Sequence, residues 1–218
     1  MKEKETQKPR LRDADRSQQA ILIAARDEFA QHGLGGARID RIAERVKLNK
    51  RLIYYYFTSK DDLFLAVLER TYADIREAEK QLHLSDLAPP QAIRRLTEFT
   101  WDYYLAHPEF ISLLNTANLH QAGHLAKSER IRELNSPLIQ TLGEILARGH
   151  ADGLFRSGID PLQLYVSIAG LAYFYLSNQH TLSAIFGRDL MTRQALDARL
   201  AHMCDLILGY VLMDGGVL

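Results

Sequence analysis

The 218-residue sequence has a single cysteine, Cys204, and a single tryptophan, Trp101. A lone thiol excludes an internal disulfide framework and fits a reducing compartment such as the cytoplasm. The flanking apolar residues Met203 and Leu206 to Leu208 suggest that this thiol is buried rather than reactive. No run approaches the roughly 18 consecutive apolar residues that a membrane-spanning helix requires. The first sixteen residues are charged throughout and lack an apolar centre, so no signal peptide is read there. No segment alternates with period two over strand length, and no repeat or low-complexity tract is present. The motifs G-x-S-x-G, H-E-x-x-H, GxGxxG and the Walker loop are all missing, so neither an enzyme nor a cofactor is expected.

The charge balance carries more information. The whole chain has 27 basic and 27 acidic side chains, but residues 1–60 hold 14 Lys+Arg against 8 Asp+Glu. A basic first quarter on an acidic body suits contact between one end and a polyanion, although a solvated tail has the same composition.

Helical periodicity dominates. Residues 1–16 are polar and irregular and read as a flexible arm. From Ser17, Ala20, Ile21, Ala24, Ala25 and Phe29 recur at three- and four-residue steps until Gly33. Ser17 is a candidate N-cap and Gly33 a candidate stop. Beyond the Gly33 to Gly36 loop, the pattern predicts a short helix from Ile39 to Val46, a turn at Lys47 to Asn49, and a second short helix from Lys50 to Tyr56 capped by Asn49. A longer helix starts after Thr58-Ser59. Ala88-Pro89-Pro90 ends this region, and further helices are predicted near 91–106, 108–119, 129–150, 160–179 and 192–213, with boundaries or kinks at sites such as Pro137, Gly153 and Gly187. The expected fold is all-α, divided into an arm (1–16), a three-helix helix-turn-helix domain (17–62) and a helical effector-binding and dimerisation domain (63–218).

Two short helices across a tight turn form a helix-turn-helix, whose second helix enters the major groove of DNA. Lys50 and Arg51 at the start of that second helix can reach base edges, with arginine bidentate to guanine. Tyr54 and Tyr55 offer hydroxyls to phosphates, and Lys60 stands at the start of the next helix, where phosphate is also favoured. Tyr56, Phe57, Leu52 and Ile53 read as anchors to the core.

The stretch ILIAARDEFAQHGLGGARIDRIAERVKLNKRLIYYYFTSKDDLFLAVL resembles the DNA-binding domain of the TetR/AcrR family. The resemblance implies a DNA-binding regulator with Lys50, Arg51, Tyr54, Tyr55 and Lys60 as DNA contacts and Arg38 and Arg41 near the phosphate backbone. The sequence departs from the family pattern in three places. Ala37-Arg38 stands where a capping threonine is usual, Lys47-Leu48 replaces the Gly-Val of the turn, and Arg51-Leu52 replaces small residues early in the recognition helix.

By the same resemblance, the remainder dimerises and holds an effector cavity. Two recognition helices of a symmetric dimer reach successive major grooves about 34 Å apart, which implies a palindromic operator. Two apolar stripes are candidates for the dimer interface: Ile168, Leu171 and Tyr175, and Leu196, Leu200, Met203, Ile207, Tyr210 and Val211. Each is equally compatible with the core of one subunit. Polar and aromatic residues in apolar helices nominate the effector contacts Trp101, Tyr104, Asn115, Asn118, His124, Tyr173, Phe174 and Asn178. Interhelical hydrogen bonding is the alternative for the two amides. His120 and His124 are four residues apart, a metal-compatible spacing, but no carboxylate or cysteine accompanies them and no metal is expected. The reading is a cytoplasmic homodimeric repressor released from DNA by a small organic effector, with no membrane partner. A ligand-dependent activator and a helical small-molecule binder without operator specificity are the alternatives.

Overall fold

Side-chain caps start several of the helices, with Asn49, Asp160 and Thr192 each accepting from first-turn amides. The computed structural model describes the backbone of residues 8–213 and the side chains of 14–213 apart from residue 127. Ten α-helices are found among these residues: α1 (Lys8–Gly36), α2 (Ile39–Val46), α3 (Lys50–Tyr56), α4 (Lys60–Lys80), α5 (Pro89–Ala106), α6 (Pro108–Leu119), α7 (Glu129–Ala151), α8 (Pro161–Ser177), α9 (Gln179–Phe186) and α10 (Arg193–Val211). Pairing between extended segments is limited, among the described residues, to an isolated antiparallel bridge between Phe155 and Leu212. The all-α expectation therefore holds.

Two compact units are formed. The first combines the chain up to Tyr72 with Ser112–Glu129, and the second combines Ala73–Ile111 with the chain from Arg130 onward. Sequence patterning assigned everything after residue 62 to a single domain, whereas Ser112–Glu129 groups with the helix-turn-helix.

In the first unit α1 begins at Lys8 rather than Ser17, so the expected irregular arm is helical from residue 8, and its residues 1–7 lie outside the described residues. The helix breaks at Gly33 (φ 63°, ψ 175°), a conformation restricted almost entirely to glycine. Phe29, on α1, packs edge-on against Phe64, on α4, with ring centroids 5.0 Å apart, and both are fully buried. Ile21, Ala25, Ile42, Ile53, Leu63 and Leu68 complete the centre of this core.

In the second unit α5 packs on α8 and α10, which also pack on each other. Ile93, Leu96, Leu142, Ile145, Ile168, Ile207 and Val211 share the core with Phe155. The carboxylate of Asp160 caps α8 by accepting from the Leu162 and Gln163 amides, and Pro161 occupies its first turn, where a missing N–H costs nothing. Pro137, expected at a boundary or kink, lies inside α7. There the Asn135 and Ser136 side chains donate to the carbonyls one turn back, of Ile131 and Arg132. Helix α9 was not anticipated from the sequence; its eight residues were divided between the end of one predicted helix and a linker.

Candidate nucleic-acid interface

The geometry of α2 and α3 begins with a buried carboxylate on α1. Arg38 stands at the N-cap of α2 without a capping side chain of its own. Glu28, 1% exposed, substitutes for one from ten residues upstream. Its Oε1 accepts from the Arg38 amide at 2.9 Å and from Arg41 Nε at 2.7 Å, with Arg41 Nη2 at 2.6 Å. Arg41 also donates to the Gly36 carbonyl at 2.8 Å. Burial pushes the Glu28 carboxyl up, but the hydrogen bonds from Arg41 and the Arg38 amide and the charges of Arg41 and His32 outweigh it, leaving the group below the ordinary glutamate range. Arg41, expected near the phosphate backbone, therefore spends its guanidinium on holding α1 to α2.

The turn between α2 and α3 takes the form the sequence required. Lys47 adopts the left-handed conformation (φ 55°, ψ 36°), and its amide and that of Leu48 return to the last carbonyls of α2. Asn49 Oδ1 accepts from the Arg51 amide at 2.8 Å and starts α3. Within α3, Ile53 is 1% exposed and Phe57, just after its end, 6%, so one face is pinned to the core. The opposite face presents Arg51, Tyr54 and Tyr55 to solvent, with Tyr55 81% exposed. So large an exposed aromatic, beside an exposed arginine on a rigidly anchored helix, is fit for contact with another molecule.

The other predicted contacts are placed differently. Arg38 is exposed. Lys50 Nζ pairs with Asp40 of α2 at 2.8 Å, and this hydrogen bond raises the lysine pKa and lowers that of the aspartate. Lys60 is half-buried, its Nζ 3.4 Å from the Ala37 carbonyl. Ser59 Oγ caps α4 by accepting from the Asp62 amide. Glu28 and Asp40 escaped sequence reasoning. No local pattern marks Glu28, and Asp40 looked like an ordinary first-turn acid of α2.

Comparison with known proteins gives this geometry its context. A model of the tetR family of bacterial regulatory proteins matches residues 21–67, and a model of the tetracyclin repressor-like C-terminal domain matches residues 89–207. The HTH-type transcriptional repressor NicS of Pseudomonas putida is 45% identical over 199 residues, spanning 91% of this chain and 94% of that protein. The chain belongs to the tetR family. This tetR-family protein is a transcriptional regulator and not an enzyme. It is also 30% identical over 185 residues to the HTH-type transcriptional regulator RutR of Escherichia coli K12, spanning 83% of this chain and 84% of that one. A transcriptional regulator from Saccharomonospora viridis, solved in complex with choline, shares the fold with a TM-score of 0.68 at 21% identity, over 91% of this chain and 99% of that chain.

The residues nominated for effector contact in this tetR-family chain occupy several different surroundings. Trp101 is 2% exposed and lies edge-on to Tyr175 at 5.6 Å, and Tyr104 is 5% exposed and stacked on Phe110 at 5.3 Å; both are packed as core. Asn115 and Asn118 point outward rather than inward, because Phe110, Leu113 and Ala117 take the buried side of α6. His124 belongs to the first unit, where its Nε2 lies 2.8 Å from Asp61 Oδ1 and its ring lies against Phe64. Hydrogen bonding to His124 holds the Asp61 carboxyl below its ordinary range. Tyr173 is half-buried, and the Asn178 side chain donates back to the Phe174 carbonyl at the α8–α9 junction. Phe174 is 58% exposed.

Phe174 is instead part of an outward face. Leu162, Val166 and Phe174, four and then eight residues apart along α8, are each at least half exposed, and Leu206 and Tyr210 of α10 are 46% and 45% exposed. Together α8 and α10 line an open groove of about 500 Å³ that includes Val166, Gly170, Phe174, Leu206 and Tyr210. Of the stripes read from sequence, Ile168, Met203, Ile207 and Val211 are buried in the subunit's own core. No group of three or more His, Cys, Asp or Glu residues is placed to hold a metal ion among the described residues. No described helix is long and apolar enough to cross a membrane.

Proposed function

We propose that the protein is a cytoplasmic homodimeric repressor that binds a palindromic operator and is released by a small organic effector. The observation that carries the DNA contact is the outer face of α3, where Arg51, Tyr54 and Tyr55 stand exposed while Ile53 and Phe57 fix the helix from behind. In this reading Arg51 reads a base edge, Tyr54 and Tyr55 meet phosphates, and Arg38, Lys50 and Lys60 supply positive charge. The apolar α8 and α10 face supports a two-fold interface, since a C2 contact joins the same patch on both subunits. Strong identity to a protein named as a repressor supports repression over activation.

The test is selection of binding sites from random double-stranded DNA, followed by affinity measurements at fixed salt. A palindromic site is expected, and Arg51→Ala should weaken binding to it by about 5- to 150-fold, the ~1–3 kcal/mol of a lost base contact, with binding to unrelated DNA little changed. Enrichment of only sequence-indifferent DNA would defeat the reading.

Asp40 supplies an independent check. Asp40→Asn removes the carboxylate that engages Lys50, so binding to any duplex should tighten several-fold. The dependence of log K on log salt should steepen by roughly one phosphate contact, a slope change of about 0.9. An unaltered salt slope would show that Lys50 does not meet phosphate.

A further inference from the structure

Helix α9 follows α8 within the second unit, and none of its residues is buried. Helices this short are marginal in water by themselves and are normally sustained by an apolar face packed on a core. Here polar contacts fix the helix instead. Gly187 closes it in the left-handed region (φ 62°), and the Gly187 and Arg188 amides both return to the Ser183 carbonyl. Ser183 Oγ accepts from the Leu190 amide at 3.2 Å, and the Tyr175 hydroxyl of α8 donates to the Leu190 carbonyl at 2.8 Å. The helix is held in place while Ile185 and Phe186 stand 73% and 66% exposed. Two adjacent large apolar side chains presented in this way mark a contact surface.

The exposed face of α8 indicates what covers them. Gly170 is exposed near the middle of that helix, and nothing lies within 4 Å of where a Cβ would stand. A second helix can approach closely there. Val166 and Phe174 lie on the same face, four residues to either side, and are 53% and 58% exposed. A two-fold axis that crosses two antiparallel copies of α8 at Gly170 sets each Val166 against the partner's Phe174. One turn further out, Leu162, 50% exposed, falls opposite position 178, where α9 begins. Size points the same way. The groove between α8 and α10 is lined by nine residues, whereas a stable interface takes roughly 20–30 from each side. We propose that α9 is a clasp for a second copy of this chain, with Ile185 and Phe186 of each subunit covering the start of the partner's α8 at Leu162. The proposal rests on the homodimeric reading and specifies how the two copies run.

Sedimentation equilibrium of the full chain measures the dimer dissociation constant. Ile185→Ser with Phe186→Ser alters both clasps of the two-fold contact at once and should raise that constant by about 100-fold or more. The control Leu119→Ser changes an 81% exposed residue of the first unit and should leave the constant unmoved. Helix direction is read with a short bismaleimide cross-linker on chains carrying Cys204→Ser. An equal mixture of Leu162→Cys and Phe186→Cys chains should give the mixed covalent dimer, and Phe186→Cys alone should give none. A wild-type chain that sediments as a monomer would overturn the homodimeric reading and the clasp together. A wild-type dimer would keep that reading and lose the clasp on any of three results: a constant unchanged in the double variant, equal weakening by Leu119→Ser, or cross-linking of Phe186→Cys only to itself. The cross-linking uses other variants, so a double variant that fails to fold still leaves the clasp exposed to refutation.

Discussion

Glu28→Ala is expected to unfold the α1–α2 junction and with it abolish operator binding. The carboxylate is buried and accepts from both the Arg38 amide and the Arg41 guanidinium. Removing one partner of a buried pair costs ~3–5 kcal/mol, but Arg41 retains some solvent and lowers that share to about 2 kcal/mol. Loss of the helix cap adds about 1 kcal/mol. A total of about 3 kcal/mol corresponds to a fall in Tm of roughly 6–12 °C for a chain of this size. Thermal unfolding followed by circular dichroism measures it, and hydrogen exchange across α2 locates it. A Tm within about 2 °C of wild type would mean that Glu28 does not hold α2. The same group sets a pH dependence. Its folded pKa lies below the unfolded value near 4.5, so its contribution is complete above that pH and is lost as the pH falls through the folded value. The difference in stability between wild type and Glu28→Ala should therefore be constant near neutrality and shrink in acid.

A comparable loss is expected in the second unit from one methyl group. A Cβ added at Gly149 would lie 2.1 Å from Phe155 Cδ2 and 2.5 Å from Cε2. Phe155 cannot step aside easily. Its side chain is fully buried in the core, its amide donates to the Gly149 carbonyl at 2.9 Å, and its carbonyl lies 3.2 Å from His150 Nδ1. Overpacking of this kind costs ~1–3 kcal/mol, and expelling the ring altogether costs ~3–5 kcal/mol, so Gly149→Ala should destabilise by about 3 kcal/mol. Phe155→Leu in the same chain should recover part of that loss, giving a favourable coupling in a double-mutant cycle. Additive effects of the two changes would show that the clash is relieved elsewhere.

What the sequence discloses follows the range of the interactions involved. The α2–turn–α3 unit was legible to the residue because its determinants are local: the Asn49 cap, the left-handed Lys47 and the anchors Ile53 and Phe57 all act within a few positions. The Glu28 cap was not legible, since an acid on α1 becomes a cap for α2 only once the two helices have packed. The grip of Arg41 on Glu28 was hidden for the same reason: an arginine facing solvent and one holding a buried carboxylate have the same sequence context. Helical spacing placed Asn115 and Asn118 on one face of α6 but did not say which face is inside. At about 100° per residue, Leu113 and Asn115 lie roughly 160° apart, and the core took Leu113. Phe174 illustrates the reverse case. In a helix as apolar as α8, the outward row is as hydrophobic as the inward one, so periodicity does not separate pocket, core and interface.

The left-handed Lys47 also sets two properties of this turn against each other. A residue with a Cβ is held there at a cost of ~1–2 kcal/mol that glycine would not incur. An exposed ammonium is thereby carried at the hinge between the two short helices, close to the start of α3. The hinge gives up backbone comfort for electric field, so local stability and attraction to a polyanion are coupled at one residue and cannot both be maximised there.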